Sequence, residues 1–470
     1  MNTSIPLRSS RSGKGRTLLR RLFGAAGIAL FVVLLLALLR VGPEPALQID
    51  PAAPGIGQRT SIVASASEPS RGLSDVRLEL LQNDRVFSLA EASFEPRAFW
   101  AFWGPRRQEH VLEIEVGRDS LEELVEGTAT LRLVAARSGT WLRRPRAATT
   151  ELELPVRFRP PSSSVLSDLI YVRQGGSEAV VYRVGPTTSE HGVQSGERWF
   201  PGYPLPGGGE GEMFALFAVP HDLTDSDQVR LVVRDELGNQ SRSAFLDRFT
   251  PSPLKRSNIQ LNDRFMEKVV AEILDRTPEL RPEDSTLETY LKINGELREA
   301  NRRRLRELGS RSRQEFLWSQ PFLQLRNSQV MDSFAARRSY RFEGLQVDTQ
   351  DHLGFDFASV RRAPVDAAND GIVVLAEYFG IYGNAIVLDH GYGLMTLYAH
   401  LSSIEVEEGQ TVQRGDSLGR SGETGLAGGD HLHFGVLLQG VPVSPVEWFD
   451  AKWIRDRIVR KMPNAFDFDG

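Results

Sequence analysis

The sequence contains no cysteine. That excludes disulfides, thiolate metal sites and cysteine nucleophiles, and leaves the compartment to be read from other signals. A surplus of one charge is missing as well. The 56 Lys and Arg stand against 61 Asp and Glu, a net charge of −5, which gives no general footprint for nucleic acid. Several catalytic signatures are also absent. No H-E-x-x-H occurs, so a helix-borne zinc site with a glutamate base is excluded. The loop PGGGEGE is not followed by Gly-Lys-Ser/Thr and cradles no phosphate. The acidic cluster DLTDSD lacks the spaced glycine and glutamate of a calcium loop and reads as a solvated turn.

Long apolar runs are absent too, with one exception. Arg8, Arg11, Lys14, Arg16, Arg20 and Arg21 precede LFGAAGIALFVVLLLALL, which carries no charge from Leu22 to Leu39. About 18 apolar residues is near the shortest length that crosses a hydrocarbon core as a helix. The basic flank predicts that residues 1–21 form a cytoplasmic tail, in contact with anionic lipid heads, and that everything after Arg40 is exported. A cleaved signal peptide would have a shorter core, about 7–15 residues, and an A-x-A-like site. RVGPEPALQID offers no such site, so a retained single-pass anchor over residues 22–39 is expected.

A chain of 470 residues suggests roughly three domains. After the proline-rich PEPALQIDPAAPGIG come the alternating runs VRLEL, HVLEIEV, TATLRLVA and ELELPVRFR. Period two at these intervals predicts an immunoglobulin-like antiparallel β-module over 46–160. EAVVYRV and QVRLVVRDELGNQS predict a second β-module over 165–250. Neither carries chemistry, and both read as spacers or as binding modules for protein partners. Over 258–313 the period changes to that of a helix. Leu287, Tyr290, Asn294, Leu297, Asn301, Leu305 and Leu308 form one stripe, ordinarily core-facing, which predicts a helical hairpin packed on a neighbouring domain. A dimerising helix and a flap over a site are the sharper alternatives.

Five of the eight histidines fall in the last 120 or so residues. In GETGLAGGDHLHFG, His431 and His433 would share one face of a strand, with Leu432, Phe434 and Val436 on the other. QDHLGFDFAS, read as a strand, aligns His352, Gly354 and Asp356 against Leu353, Phe355 and Phe357. LMTLYAHLS aligns Tyr398 and His400 against Leu397, Ala399 and Leu401. His390 precedes a glycine turn and reads as structural; His110, His191 and His221 are scattered and take ordinary surface or core roles. Two histidines and one aspartate are a sufficient set for catalytic zinc, with a fourth position left for water. Four histidines and an aspartate exceed that need, which leaves two for proton transfer or oxyanion stabilisation.

The motifs HLGFD, LYAHLS and GETGLAGGDHLHFG occur in this order within residues 326–455. This segment resembles the lysostaphin-type, or LytM, zinc endopeptidases, which cleave peptide cross-links in bacterial peptidoglycan. The resemblance implies a mainly antiparallel β domain with a groove across its sheet. It implies His352, Asp356 and His433 as Zn2+ ligands, with His400 and His431 as the catalytic pair that orients water and stabilises the tetrahedral oxyanion. Tyr382 and Tyr398 are placed either on the groove or in core and rim. Gly435 stands where many members carry a larger residue. The whole chain is thus expected to be mainly β: an N-terminal anchor, two sandwich-like modules, a helical segment and the peptidase domain.

Two classes of function compete. One is a zinc peptidase on the periplasmic side of the inner membrane. The other is a non-catalytic LytM module that activates a wall amidase or acts as a scaffold. Modules of the second kind typically lose metal ligands, whereas all five positions are filled here, which favours the enzyme. Only VRKMPNAFDFDG follows SPVEWFDAKWIRDRI, too short for the wall-binding module that glycine-bridge cutters of the family append, and the tethered layout suits a thin wall with direct cross-links. The expectation is a D,D-endopeptidase acting on the D-alanine–meso-diaminopimelate bond.

Overall fold

The computed structural model describes residues 14–39, 43–95, 106–140, 143–253, 255–465 and 468. The first 13 residues of the basic tail lie outside them. The chain is mainly β and divides into two compact units, Met1–Arg159 with Glu236–Asn239, and Pro160–Asp235 with Gln240–Gly470.

In the first unit the helix Lys14–Leu39 begins within the basic tail. It contains one stretch, Leu18–Leu36, of mean hydropathy 2.0, long and apolar enough to cross a membrane and buried nowhere in the protein. The helix is followed by two antiparallel sheets. Thr60–Ser67 pairs with Ala46–Pro51 and Glu109–Val116, while Leu73–Gln82 and Gly127–Arg137 lie at the centre of a four-stranded sheet. Ile62, Ala64 and Ala66 from one sheet and Val76, Leu78, Leu80, Leu131 and Leu133 from the other share a core. These are the inward positions of the period-two runs, so the alternation in the sequence becomes the two facing layers of a sandwich.

The second unit opens with two four-stranded antiparallel sheets whose core includes Tyr182, Phe200, Phe214 and Leu231. The helical segment follows. Asn262 caps Asp263–Arg276 by accepting from the Phe265 amide, and Ser285 caps Thr286–Lys292 by accepting from the Glu288 amide. A π-turn, Ile293–Leu297, then leads into the helix Arg298–Gly309. Tyr290, Ile293 and Leu297 pack with Ile381, whereas Leu305 and Leu308 pack with Leu375, Phe379 and Val387. The single stripe predicted from the sequence is therefore divided between two apolar clusters.

The C-terminal sheet has eight strands. Leu432–Leu438, buried along its whole length, lies between Phe355–Ala358 and Leu394–Leu401. A separate three-stranded sheet, Arg256–Gln260, Ala336–Phe342 and Leu345–His352, ends at His352. Three segments far apart in sequence thus become adjacent, with Asp356 opposite His433 and Ala399 opposite His433 in register.

Candidate metal centre

His352 Nε2 and His433 Nδ1 each lie 2.9 Å from Asp356 Oδ1 and 3.0 Å from one another. Among the described residues these three form the one group of metal-ligating side chains close enough to hold an ion. All three are buried. His352 Nδ1 donates to the Ser333 carbonyl at 3.2 Å, which leaves a lone pair on Nε2. The carboxylate brings only lone pairs. At most one proton, on His433 Nδ1, is then available to three atoms that all face one point, and a cation satisfies them better. Tetrahedral zinc, with bonds of about 2.0–2.1 Å, would set its ligands roughly 3.3 Å apart, a few tenths of an ångström from the distances here. The residues fit such an ion.

Burial pushes the Asp356 carboxyl up, but the imidazoles of His352 and His433 beside it prevail and hold it well below the ordinary range. Burial in turn lowers His433 to about 4, against the pull of Asp356. The carboxylate is thus ionised and His433 neutral at neutral pH, the states in which both can bind a metal. The second carboxylate oxygen of Asp356 accepts from Arg338 Nη2 at 2.6 Å, and Asp332 holds the same guanidinium at 2.7 Å. Arg338 therefore orients the carboxylate so that Oδ1 faces the histidines, the kind of outer support that metal ligands ordinarily have.

His400 and His431 face the same cavity, of about 240 Å³, which the three ligands also line. Each is oriented in the same way. His400 Nδ1 donates to the Thr424 carbonyl at 2.8 Å, and His431 Nδ1 donates to the Gly429 carbonyl at 2.8 Å. Both rings therefore keep Nε2 free. Their centroids are 4.8 Å apart, and His431 Nε2 stands 3.6 Å from Asp356 Oδ1. Burial, reinforced by His431 and His433, holds His400 well below the usual histidine pKa. A neutral imidazole with a free Nε2 can take up a proton.

The alternation read from the sequence fails at two points. Leu345–His352 ends at His352 and a new strand starts at Phe355, so Leu353 lines the cavity instead of joining Phe355 and Phe357 in the core. Gly354 explains the break, since a Cβ there would lie 2.6 Å from the His433 ring. At His400 the backbone turns left-handed, with φ +63°. That turn re-aims the chain, so Leu401 joins the core of Tyr398 while Leu397 and Ala399 stay in the opposite cluster. Such strain in a residue other than glycine is typical of functional positions.

Tyr398 belongs to the core, where its hydroxyl accepts from the Ala368 amide at 2.7 Å. Tyr382 lines the cavity with its ring 5.8 Å from that of His433. A side chain at Gly435 would make only ordinary contacts, so its small size leaves the ligands undisturbed. His390 is a core residue, within 2.6 Å of the Asp370 carbonyl and 2.8 Å of Thr396 Oγ1. The scattered histidines have local partners: His110 beside Arg107, His191 on the Tyr182 hydroxyl and His221 on Asp351. Arg338 is the site residue that sequence reasoning missed. Nothing in ARRSYRF marks it, and only the pairing of Ala336–Phe342 with Leu345–His352 brings it beside Asp356.

Residues 350–445 match the family model described as Peptidase family M23. Over 96 residues, 20% of this chain and 22% of the relative, the sequence is 43% identical to the peptidoglycan DD-endopeptidase ShyA of Vibrio cholerae. It is 42% identical over 95 residues, again 20% of this chain and 22% of the relative, to the DD-carboxypeptidase/endopeptidase Mpg of Neisseria meningitidis. A solved zinc-containing peptidase from Vibrio cholerae is 33% identical, covering 30% of this chain and 40% of that one, at a TM-score of 0.24. The chain thus spans about a fifth of the length of the curated relatives it matches. Its C-terminal part, which holds all five site residues, is a peptidase family M23 domain of the lysostaphin type.

Proposed function

We propose that this protein is a zinc D,D-endopeptidase that hydrolyses the direct peptide cross-link of bacterial peptidoglycan. The observation that carries the reading is one cavity in which His352, Asp356 and His433 converge while His400 and His431 point free Nε2 atoms into the same space. His352, Asp356 and His433 would hold zinc. When bound, that ion supplies Lewis acidity toward an amide carbonyl and makes a water acidic near neutral pH. His400 and His431 do the remaining work. Their Nδ1–H groups are committed to backbone carbonyls, so each ring exchanges protons only at Nε2. One takes the proton of the attacking water and passes it to the leaving amine; the other, once protonated, donates to the tetrahedral oxyanion. Arg338 acts through Asp356 as a positioning residue.

The choice of the D,D bond rests on the names of the relatives aligned over this domain. The apolar stretch Leu18–Leu36 with its basic flank supports a single-pass inner-membrane anchor, with a cytoplasmic N-terminus and a periplasmic catalytic domain. The β-modules over 46–160 and 165–250 and the helices over 258–313 then act as spacers between membrane and wall, with surfaces open to protein partners. Full-length protein in detergent, loaded with zinc, should convert cross-linked muropeptide dimers to monomers and lose that activity to a chelator. Dimers that persist while glycine bridges or the amide at muramic acid are cut would overturn the assignment.

A further inference from the structure

Part of the cavity wall comes from the helical segment, outside the matched residues 350–445. Arg298 and Arg302, one helical turn apart, both line it. Arg298 is held with care. Its Nε donates to the Asn294 carbonyl at 3.0 Å and its Nη2 to Asn294 Oδ1 at 2.5 Å. Asn294 is fully buried in the π-turn, and its own Nδ2 donates to Asp348 at 2.6 Å. A long, rotamer-rich side chain is thereby aimed by neutral partners, and among the described residues no carboxylate stands within ion-pair distance of it. Among the described residues the carboxylate within ion-pair distance of Arg302 is Glu299, at 3.7 Å, and Glu299 is engaged more closely by Arg306 at 2.8 Å.

The carboxylates that line the cavity are committed elsewhere, Asp351 to Arg337 and His221, and Asp356 to Arg338 and the imidazoles. Two like charges one turn apart on a half-buried face weaken a helix slightly. An interrupting π-turn is itself commoner at functional sites than elsewhere.

We infer that Arg298 and Arg302 form a carboxylate-binding wall, and that the preferred substrate is an anionic peptide with a free carboxylate beside the bond that is cut. A guanidinium fork matches a carboxylate in two parallel hydrogen bonds, which a neutral carboxamide cannot reproduce. This rests on the peptidase reading above and adds the substrate's charge to it.

The test compares a cross-linked muropeptide dimer bearing free carboxylates with the same dimer amidated at those groups. Full-length, zinc-loaded wild type should favour the free acid by roughly 10–100-fold in kcat/KM, the worth of a charged hydrogen bond. Arg298→Gln with Arg302→Gln should bring that ratio close to one, mainly through KM, while Arg298→Lys restores part of it. A variant that merely folds poorly would lose activity on both dimers alike and keep the ratio. Equal rates on the two dimers by wild type, or an unchanged ratio in the double variant, overturns the inference. If wild type cuts neither dimer, the peptidase reading fails, and calorimetric binding of the uncut dimers then decides: an arginine-dependent preference for the free acid upholds the wall, and equal affinity removes it.

Discussion

Glu68 in the first unit and Asp356 in the second are both buried carboxylates, and both are held below their ordinary pKa. They differ in where their partners come from. Glu68 accepts from the backbone amides of Ser70, Arg71 and Gly72 and from the Ser70 hydroxyl, all within its own loop. Burial raises its pKa, and those donors more than offset the rise. Every lone pair that matters is met by a proton already present in the chain. Asp356 faces two imidazoles, His352 four residues before it and His433 from a strand 77 residues on, and its Oδ1 shares one small space with two nitrogen atoms, for which at most one proton is at hand. The first arrangement is complete as it stands. The second asks for a positive ion. Burial and a lowered pKa are common to both, so neither identifies a functional carboxylate; the origin of the protons does.

The largest effects should separate ligand from catalyst within the site. His433→Ala is expected to abolish both zinc retention and hydrolysis. His400→Ala should keep most of the zinc and lose about 10²–10⁴-fold in kcat, the usual worth of general acid–base catalysis. Metal analysis beside a muropeptide assay checks both, and comparable zinc loss in the two variants would erase the distinction.

His390 tests whether the contrast concerns site against scaffold or one unit against another. It lies in the peptidase domain, yet its partners are a backbone carbonyl and a threonine hydroxyl, as self-sufficient as those of Glu68. Burial lowers its pKa to about 4. The unfolded chain therefore binds a proton below about pH 6.5 that the folded chain refuses. Stability should be complete above that pH and decline by roughly 3 kcal/mol as pH falls toward 4. His390→Gln should flatten this limb in denaturant titrations run at several pH values, and an unaltered limb would assign it to other groups.

Removing Glu68 should cost less. Glu68→Ala strands three amides, a loss of about 2 kcal/mol in the first unit, with no change in zinc content. Because the folded pKa of Glu68 is lowered, its stabilisation is present at neutral pH and fades as acid protonates it. A zinc content that fell with this variant would break the comparison from the other side.

How much of this was legible beforehand follows from the range of the interactions. Alternation within HLHF and LYAH is a local property of strands, so the inward histidines and the facing apolar residues could be read from the sequence alone. The mainly β character and the lysostaphin-type resemblance were legible for the same reason, since they rest on contiguous motifs. What escaped is non-local. The order of strands that sets Asp356 beside His433 depends on pairing across dozens of residues. Arg338 enters from a second sheet, and Arg298 and Arg302 from a helix whose periodicity reveals an apolar stripe but not what its polar flank will face. Leu353 and Leu401 broke the pattern because one glycine and one left-handed residue interrupt the strands at the site itself.

The left-handed backbone of His400 has a consequence for the protein's design. Glycine adopts that conformation freely, whereas other residues pay about 1 kcal/mol to do so. His400→Gly should therefore be more stable than His400→Ala by about that amount in thermal melts, although both variants lack the ring. Selection for robustness alone would drift toward glycine at position 400 and silence the cavity without disturbing the sheet around it. In this part of the molecule, thermal resilience and chemistry pull in opposite directions, and the histidine marks which of them prevailed.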